Sequence, residues 1–308
     1  MNISIIGASR NQNGIGQYTA KYFQKNQACV VSVLGTTEKT AHSAADALKL
    51  YDINANAYND FHLMIHSEKP NAVVIASPLR THYDYLMKSI ALGLNIFCEK
   101  PFFWQKNMDF MPVLNNLFKK AASKKLIVAM NSQWPFSIPI YEDLCGPLAG
   151  QPVASFFMRL SPGCWGKDMI LDSLPHALSM LYFVLGAGEI QAVEMENRST
   201  IKSIRFDYIA PGHECSVLIE LESQHHQPRS FKYGFNGKIV NRIVDLDHYD
   251  IYFQYQNRKI KIEDPLELSV KDFMAAVRDQ REPVIGKSHI IATTKLLNKI
   301  YNHNDPVK

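Results

Sequence analysis

Over residues 1–130, short apolar runs alternate with longer segments in which apolar positions recur with helical spacing. Strands that alternate with helices in this way are typical of right-handed βαβ units around a parallel sheet. The chain is therefore predicted to begin with an α/β domain. The apolar runs predict strands at 2–6, 30–34, 72–76, 94–98 and 126–130, and the segments between them predict helices at 14–23, 41–50, 61–66, 83–92 and 107–122.

The pattern changes near residue 131, after which polar and apolar positions alternate singly, as in strands with one buried face. Turn dipeptides such as Asn236-Gly237 separate several of these strands, and one helix at 173–185 interrupts them before Gly186. Residues 131–285 are thus predicted to form an α+β domain with a large, mostly antiparallel, open-faced sheet. The predicted strands are 153–160, 189–197, 203–209, 215–222, 229–235, 241–246 and 249–256.

A sheet with helices on one face leaves its other face in need of a partner. We therefore expect a homodimer or homotetramer that packs through the open face of the sheet. Two further amphipathic segments predict helices at 269–280, with Ser269 as the N-cap, and at 287–301. Residues 286–308 are expected to form a C-terminal helix that packs back on the first domain.

The composition is that of an ordinary globular chain of the size of many enzymes. The chain has 308 residues, of which 46% are hydrophobic and 20% charged, so it can bury a large core in two domains. Because Met1–Ile6 leads directly into a strand and the longest apolar runs are too short for a bilayer, neither a secretion signal nor a membrane partner is expected. Five widely spaced cysteines without a Cys-x-x-Cys pair indicate reduced thiols and a cytoplasmic protein.

The net charge of +4 is small, and basic pairs such as Lys119-Lys120 fall at helical spacing, as on a solvated helix face. A nucleic-acid partner is not expected, because it would require a basic stripe interleaved with aromatic residues. The histidines at 213, 225, 226 and 248 have no spacing typical of a metal site, so no metal is expected. A small-molecule substrate is the expected partner.

The loop after the first strand has the residue types of a dinucleotide-binding turn. Gly7 can form a tight turn, Gly16 allows close packing of a helix on the strand, and amides at the start of that helix can bind a pyrophosphate. About four extra residues separate Gly7 from Gly14 relative to a plain G-x-G-x-x-G spacing, and a purely structural turn explains the glycines about as well. The cofactor contacts expected from this loop are Gly7, Ala8, Ser9, Arg10, Gly14, Ile15 and Gly16.

The end of the second strand bears on the choice of cofactor. An NAD site commonly has an Asp or Glu there, which accepts hydrogen bonds from the ribose 2′-hydroxyl. This chain has Thr36, Thr37 and Lys39 instead, with Arg10 as a second candidate cation. Hydroxyl groups and cations favour a 2′-phosphate, and hence NADP(H) over NAD(H). Glu38 is the counter-argument, since a shift of one residue would restore an acid.

The most informative stretch is Ile96–Pro101, an apolar strand that ends in Glu-Lys-Pro. The strand before it breaks into a loop that reaches His82. A strand, a crossover helix and a second strand would place Lys100 at the carboxyl edge of a parallel sheet, where ligands bind in open α/β sheets. Oxidation of an alcohol needs a base at such a position. Without this context Lys100 would be a solvated lysine at a strand end, and Pro101 can fix its direction through a cis peptide bond.

Asp172 and His176 form a second candidate pair. Their i, i+4 spacing places both on one face of a helix. Because Pro175 cannot donate a hydrogen bond back to Leu171, the helix is expected to start near Asp172 and to use that residue as its cap. The carboxylate can bind a substrate hydroxyl or orient the imidazole, and His176 can donate or accept the reacting proton. The alternative is an N-cap aspartate followed by an ordinary helix histidine.

Together these motifs resemble those of the Gfo/Idh/MocA oxidoreductases. The resemblance rests on the glycine loop, the segment from Val73 to His82, Glu99-Lys100-Pro101, Asp172-x-x-x-His176, and the ending from Asp272-Phe273 to Glu282-Pro283. It implies a Rossmann domain and NAD(P)-dependent hydride transfer on a small polar alcohol or carbonyl compound, such as a sugar, a polyol or a derivative, with an imine as another option. It also implies catalytic roles for Lys100, His176 and Asp172, and cofactor contacts from Ser77, Pro78, His82, Glu99 and Lys100.

The chain departs from the family pattern around the expected substrate pocket. Relatives often carry an acid three residues after the histidine, where this chain has Ser179, and an arginine before the proline, here Pro135. The residues expected to shape the pocket are Asn131, Trp134 and Trp165, although ordinary packing explains each tryptophan equally well.

A regulator that binds a dinucleotide on the same fold is the alternative to an enzyme. The expanded glycine loop is compatible with either. Retention of Lys100, Asp172 and His176 together argues for an enzyme, because a sensor needs the cofactor pocket without the groups that transfer a proton.

Overall fold

The computed structural model describes residues 1–8, 14–106 and 108–303. The chain divides into two compact units, of which the first comprises Met1–Asn131 with Leu266–Ile290, and the second Ser132–Pro265 with the residues from Ile291 onward. The first boundary falls one residue from the predicted one at 130. The carboxyl-terminal part is divided differently from the prediction, because the segment that belongs to the first unit is 266–290 rather than 286–308.

A six-stranded sheet forms the centre of the first unit, in the order β3-β2-β1-β4-β5-β6. Its strands are β1 (Asn2–Ile6), β2 (Cys29–Leu34), β3 (Asn56–Tyr58), β4 (Ala72–Ile75), β5 (Asn95–Glu99) and β6 (Val128–Asn131). All neighbouring strands are parallel, which confirms the predicted α/β domain. The order reverses between β1 and β4, and in such sheets ligands bind beyond the carboxyl ends of the strands at this point.

Helices accompany both sheets. They are α1 (Ile15–Lys25), α2 (Glu38–Leu48), α3 (Phe61–Glu68), α4 (His82–Ala91), α5 (Phe110–Ser123), α6 (Ile138–Cys145), α7 (Asp168–Leu185), α8 (Pro265–Asp279) and α9 (Lys287–Tyr301). The sequence pattern missed α6 and β3. β3 is a three-residue edge strand whose residues are all at least partly exposed, so it has no apolar run to detect, and α6 has proline at its start.

Aromatic rings connect α1, β5 and α8 in the core of the first unit. Phe23 contacts Phe97 and Phe273 edge-on, with ring centroids 5.8 Å and 6.0 Å apart. All three rings are buried, and an edge-to-face pair contributes about 0.5–1.5 kcal/mol beyond the burial of its area. This packing explains why α8, which follows the second sheet in the chain, belongs to the first unit.

The prediction that Ser269 caps this helix was wrong. The helix α8 begins four residues earlier, at Pro265, and Ser269 is buried inside it. Proline is favourable at the first position of a helix, because its φ angle is preset and its missing N–H has no intrahelical partner to lose. The helix therefore starts at Pro265 and not after a serine cap at Ser269.

The second unit contains an eight-stranded sheet in the order β14-β13-β12-β11-β7-β10-β9-β8. Its strands are β7 (Ser155–Leu160), β8 (Glu189–Arg198), β9 (Ile201–Ala210), β10 (His213–Glu222), β11 (Lys232–Phe235), β12 (Lys238–Asp245), β13 (Asp250–Tyr255) and β14 (Arg258–Ile262). β7 and β10 are parallel and the other neighbours antiparallel, which confirms the mostly antiparallel sheet. The edge strand β14 was not predicted.

The start of α7 was predicted wrongly, near Asp172 instead of Asp168. Pro175 lies inside the helix, where it removes the hydrogen bond to the Leu171 carbonyl. The residues from Ser173 to Leu181 are all buried, and burial on this scale outweighs the loss of one backbone hydrogen bond. Although α7 is rich in apolar residues, no helix in the described ranges is long and apolar enough to cross a membrane.

The two faces of the second sheet differ in character. In β7, Phe156 and Met158 are buried, whereas Phe157 and Arg159, which alternate with them, are half-buried. On the half-buried face Arg159 Nε donates a 2.7 Å hydrogen bond to a Glu220 carboxylate oxygen, and the Lys232 ammonium lies 5.4 Å from the centroid of the Phe157 ring. The alternation thus gives one apolar face for the core and one mixed face with paired charges.

Candidate functional site

The turn after β1 brings three stretches of backbone into contact. Gly7 has φ +98°, and a Cβ atom on it would lie 2.5 Å from the Ser77 nitrogen. A Cβ atom on Gly16 would lie 2.6 Å from the Gly7 carbonyl oxygen. Gln17 extends the contact, because its side-chain amide donates a 3.0 Å hydrogen bond to the Ala8 carbonyl. Only glycine fits at both positions, as the predicted dinucleotide turn requires.

The amino terminus of α1 is suited to an anion. Its N-cap is Gly14, which has no capping side chain, and its first turn contains no acidic residue. Backbone N–H groups at such a terminus lack intrahelical partners, and the helix dipole favours negative charge there. The cradle formed by Gly7 and Gly16 and this uncapped terminus therefore fit a pyrophosphate. Ile15 is the first residue of the helix, whereas Ser9 and Arg10, also expected to contact the cofactor, lie outside the described residues.

Gly35, the first residue of the turn between β2 and α2, has no room for an acidic side chain in its place. A Cβ atom on Gly35 would lie 2.3 Å from the Ala41 nitrogen, and Leu34 before it is buried. The first side chains that can face a ligand are those of Thr36 and the residues after it. Thr37 caps α2, accepting a 3.2 Å hydrogen bond from the Thr40 nitrogen.

The residues that follow Gly35 form an exposed edge. Thr36, Thr37, Glu38 and Lys39 are all exposed, and one Glu38 carboxylate oxygen lies 3.9 Å from the His42 imidazole. The edge therefore presents hydroxyl groups, one cation and one carboxylate at the start of α2. The hydroxyl groups and the cation favour a cofactor with a 2′-phosphate, whereas the carboxylate favours a free ribose 2′-hydroxyl.

His82 connects the loops that follow β4 and β5. Its ring is 2% exposed, with Nε2 at 2.8 Å from the Ser77 carbonyl oxygen and Nδ1 at 3.1 Å and 3.2 Å from the carbonyl oxygens of Pro101 and Phe102. A neutral imidazole can donate only one of these hydrogen bonds. Burial lowers the pKa of His82, while the carbonyl acceptors act in the opposite direction. His82 thus lies behind the candidate cofactor surface and holds its loops together.

Lys100 follows β5 directly, at the carboxyl edge of the parallel sheet, and is half-buried. The Lys100–Pro101 peptide bond is cis, as the sequence suggested. Next to it, Glu99 and Asn131 are paired residues at the carboxyl ends of β5 and β6, and the Asn131 amide donates a hydrogen bond to the Glu99 carboxylate. Asn131 is fully buried, and its Oδ1 has no hydrogen-bond partner among the described residues.

In the second unit, Asp172 and His176 lie one turn apart on α7. His176 is 7% exposed, and its Nδ1 lies 3.3 Å from the Ser132 hydroxyl oxygen. Asp172 is half-buried and accepts a 3.0 Å hydrogen bond from the Ser173 hydroxyl. The helix therefore holds a carboxylate and an imidazole on one side, with Ser132 orienting the imidazole ring.

The two candidate tryptophans have opposite surroundings. Trp134 is 5% exposed and stacks on Phe231, with ring centroids 3.6 Å apart and planes inclined by 18°. Trp165 is 53% exposed, and its ring centroid lies 6.5 Å from that of His225. Trp134 is thus part of the packed interior of the second unit, and Trp165 is available to a ligand.

Sequence reasoning missed two arginines in this neighbourhood, Arg229 and Arg242. The Cζ atom of Arg242 lies 5.5 Å from the Trp134 ring centroid, and its Nη2 donates a 2.7 Å hydrogen bond to the Arg229 carbonyl. The two residues are thirteen positions apart on either side of a hairpin. No local spacing rule would have joined them.

Residues 1–132 match the family described as "Oxidoreductase family, NAD-binding Rossmann fold", GFO_IDH_MocA. The match covers the leading 132 residues of the chain and agrees with the resemblance drawn from the motifs.

Individual relatives agree with this assignment over limited stretches. The D-glucoside 3-dehydrogenase of Escherichia coli (strain K12) is 27% identical over 101 residues, which cover 33% of this chain and 27% of that protein. The chain thus spans about a quarter of that relative's length in the match. Its activity and substrate remain properties of that protein.

Solved structures extend the likeness in fold to nearly the whole chain. UDP-N-acetylglucosamine 3-dehydrogenase GnnA from Acidithiobacillus ferrooxidans superposes with a TM-score of 0.72 at 15% identity, covering 97% of this chain and 96% of that one. KijD10, a 3-ketoreductase from Actinomadura kijaniata in complex with TDP-benzene and NADP, gives 0.72 at 13% identity, covering 99% and 98%. At these identities the likeness establishes the two-sheet fold.

Proposed function

We propose that this chain is an NAD(P)-dependent oxidoreductase that transfers a hydride between a nicotinamide cofactor and a small polar alcohol or carbonyl compound, such as a sugar, a polyol or a derivative. The observation that carries the proposal is the close backbone approach at Gly7 and Gly16, in a domain of an NAD-binding family. The retention of Lys100, Asp172 and His176 favours an enzyme over a regulator.

The first unit offers groups for each part of the dinucleotide. The α1 terminus beyond Gly14 would bind the pyrophosphate through its amides, and the loop from Ser77 to Pro78 would border it, since Ser77 touches the Gly7 backbone. A nicotinamide carboxamide could donate the hydrogen bond that the buried Asn131 Oδ1 otherwise lacks. Lys100, which follows β5 next to Asn131's partner Glu99, would contact the same end of the cofactor.

Three residues would handle the proton that accompanies the hydride. The bound nicotinamide ring supplies or accepts the hydride itself. Lys100 and His176 would hold and move the proton at the substrate oxygen, and Asp172 would bind a substrate hydroxyl or orient the imidazole. The contact of His176 Nδ1 with the Ser132 hydroxyl supports this role, because it fixes the direction of the ring.

We favour NADP(H) over NAD(H) as the cofactor. The position directly after β2 cannot carry an acid, because a side chain on Gly35 would overlap the Ala41 backbone. The exposed edge that follows offers Thr36, Thr37 and Lys39 to a 2′-phosphate, with Glu38 opposing it. A Lys side chain with two hydroxyl groups next to a helix amino terminus is a favourable environment for a phosphate.

We further propose that the half-buried face of the second sheet, defined by Phe157, Arg159, Leu218, Glu220 and Lys232, joins copies of this chain into a homodimer or homotetramer. Its apolar side chains are partly exposed, Arg159 is hydrogen-bonded to Glu220, and the Lys232 ammonium lies against the Phe157 ring. Such a face can be buried against a second copy with the Arg159–Glu220 charges still paired.

The experiment that separates enzyme from regulator is the Lys100→Ala substitution, assayed with NADPH and a panel of keto-sugars. For an enzyme we expect turnover to fall at least about a hundredfold while cofactor affinity changes by less than about threefold. A wild-type protein that binds the cofactor and never turns over any substrate, with Lys100→Ala indistinguishable from it, would favour the regulator.

A further inference from the structure

Arg229 and Arg242 form a cationic pair inside the second unit. Nη2 of Arg242 donates to the Arg229 carbonyl at 2.7 Å. The guanidinium of Arg242 lies 5.5 Å and 5.4 Å from the ring centroids of Trp134 and Phe231, which stack on each other. Arginine is weakly hydrated and packs well on aromatic faces, so these rings hold the guanidinium in one orientation.

Neither arginine of this pair forms an ion pair among the described residues, and Asp264 is the carboxylate that acts on the charge of Arg242. Ion pairs engage other arginines of this unit, namely Arg159, Arg198 and Arg258, but neither member of the pair. The Nε atoms of both Arg229 and Arg242 are buried and have no hydrogen-bond partner in the described part of the chain. Burial lowers the pKa of Arg242, and the charge of Arg229 lowers it further, while Tyr249 and Asp264 act in the opposite direction.

A cationic pair of this kind is costly to the folded protein unless an anion completes it. Burying an uncompensated charge is unfavourable, and a nearby like charge adds to the cost. Both residues are partly exposed although their Nε atoms are buried, so a ligand can approach them from one side. Guanidinium groups bind carboxylates and phosphates through planar, charge-assisted hydrogen bonds.

The pair adjoins the candidate catalytic residues of the same unit. The His176 and Arg242 side chains both lie within 6.4 Å of the Trp134 ring centroid. Arg229 reaches the loop before α7, where a Cβ atom on Gly163 would lie 2.8 Å from its Nη2. A substrate whose reacting carbon is at His176 can therefore extend a second group to the arginines.

We propose that Arg229 and Arg242 recognise an anionic group, a carboxylate or a phosphate ester, on the sugar-like substrate. The inference rests on the proposed function and narrows its substrate class from neutral sugars and polyols to acidic ones. The arginines determine specificity, and His176 remains the residue that exchanges the proton. Gly163 contributes by leaving room for the Arg229 guanidinium.

Calorimetric titration of the cofactor-free protein tests the inference with three probes, namely D-glucuronate, D-glucose 6-phosphate and methyl α-D-glucoside. We expect at least one anionic probe to bind at least tenfold more tightly than the neutral glucoside. The preferred anion distinguishes a carboxylate site from a phosphate site. Arg229→Gln should weaken binding of that anion at least tenfold and leave the neutral glucoside unchanged.

Two further variants keep the result interpretable. Arg198→Gln removes the same charge at an exposed position on β8, five strands from β12, and should leave binding of the anion unchanged. Gly163→Ala keeps both charges and displaces the Arg229 guanidinium, so it should also weaken binding of the anion. If Arg229→Gln does not fold, judged by its melting transition, Gly163→Ala and Arg242→Lys decide the question.

Several outcomes would overturn the inference. They are equal binding of charged and neutral probes, equal losses in Arg229→Gln and Arg198→Gln, and no binding of any probe. If NADPH binds and a neutral sugar is turned over in these cases, the oxidoreductase proposal stands and only the anionic substrate class is lost. Failure to bind NADPH as well would remove the proposed function itself.

Discussion

The Asn131 side-chain amide donates a hydrogen bond to the Glu99 carboxylate, and the two residues face each other at the carboxyl ends of β6 and β5. A carboxylate can only accept, so this bond fixes which end of the amide points at Glu99. Oδ1 of Asn131 must then point away, and it is buried without a partner among the described residues. The pair thus presents a ready acceptor at the edge where cofactors bind in this fold.

Asn131→Asp should disrupt this pair. Two carboxylates would face each other in a buried position, and we expect the free energy of unfolding to fall by about 1–3 kcal/mol at pH 8. The loss should shrink below about pH 5, because one carboxyl group can then bind a proton. Urea unfolding at pH 8 and below about pH 5 measures this loss of unfolding free energy. Asn115→Asp, on the exposed surface of α5, is the control. An equal effect of the two substitutions would contradict the pairing.

Gly16→Ala tests the close approach at the glycine turn. Its methyl group would overlap the Gly7 carbonyl oxygen, so we expect NADPH affinity to fall at least about tenfold and stability by about 2 kcal/mol. Gly93→Ala is the matched control, because Gly93 has φ +76° but open space around its Cβ position. It should cost about 1 kcal/mol of backbone strain and leave NADPH affinity unchanged. Unaltered cofactor binding by Gly16→Ala would show that the turn does not hold the dinucleotide.

His82 should make the stability of the protein depend on pH. Burial lowers its pKa in the folded state, so the unfolded chain binds the proton more readily. The stabilisation is present above the unfolded pKa of about 6.5 and is lost as the pH falls below it. The unfolding free energy of the wild type minus that of His82→Gln should therefore decrease between pH 7.5 and pH 5.5. A constant difference would contradict the lowered pKa, and a difference that grows on acidification would mean that the fold stabilises the charged imidazole.

Phe157→Glu tests the proposed contact between copies of the chain. It places a new charge on the half-buried face beside the Arg159–Glu220 pair, so a second copy could no longer cover that face without burying it. Sedimentation velocity should show an oligomer for the wild type and a monomer for the variant. His62→Glu on the exposed surface of α3 is a control that should leave the oligomer intact. A monomeric wild type would refute the proposed interface.

The sequence predicted the elements whose pattern is long and regular. α9 has the predicted bounds of 287–301 because its apolar positions recur with helical spacing, and β4 differs by one residue because it is an uninterrupted apolar run. The predictions failed where a local rule competed with packing. Pro175 does not stop α7, since the buried residues after it hold the helix together, and Ser269 does not cap α8.

The candidate site also contains residues that a local pattern predicts and residues that only tertiary packing brings together. Lys100 and the glycine turn were found because they directly follow strands, and the carboxyl ends of parallel strands share one edge. Arg229 and Arg242 could not be found, because their contact depends on the register of β11 against β12 and on two rings that come from distant parts of the chain. Contacts created by tertiary packing leave no periodic signal in the sequence.

A titration with NADPH and NADH, followed by energy transfer from tryptophan to the nicotinamide, tests the central claim most directly. We predict saturable binding of both, with NADPH at least about tenfold tighter, and a reversal of this preference in Lys39→Glu, because the new carboxylate repels the 2′-phosphate. Lys49→Glu, at the far end of α2, should keep the wild-type preference. Tighter binding of NADH by the wild type would make Glu38 the ribose ligand, and failure to bind either cofactor would contradict the proposal that this chain is a nicotinamide-dependent oxidoreductase.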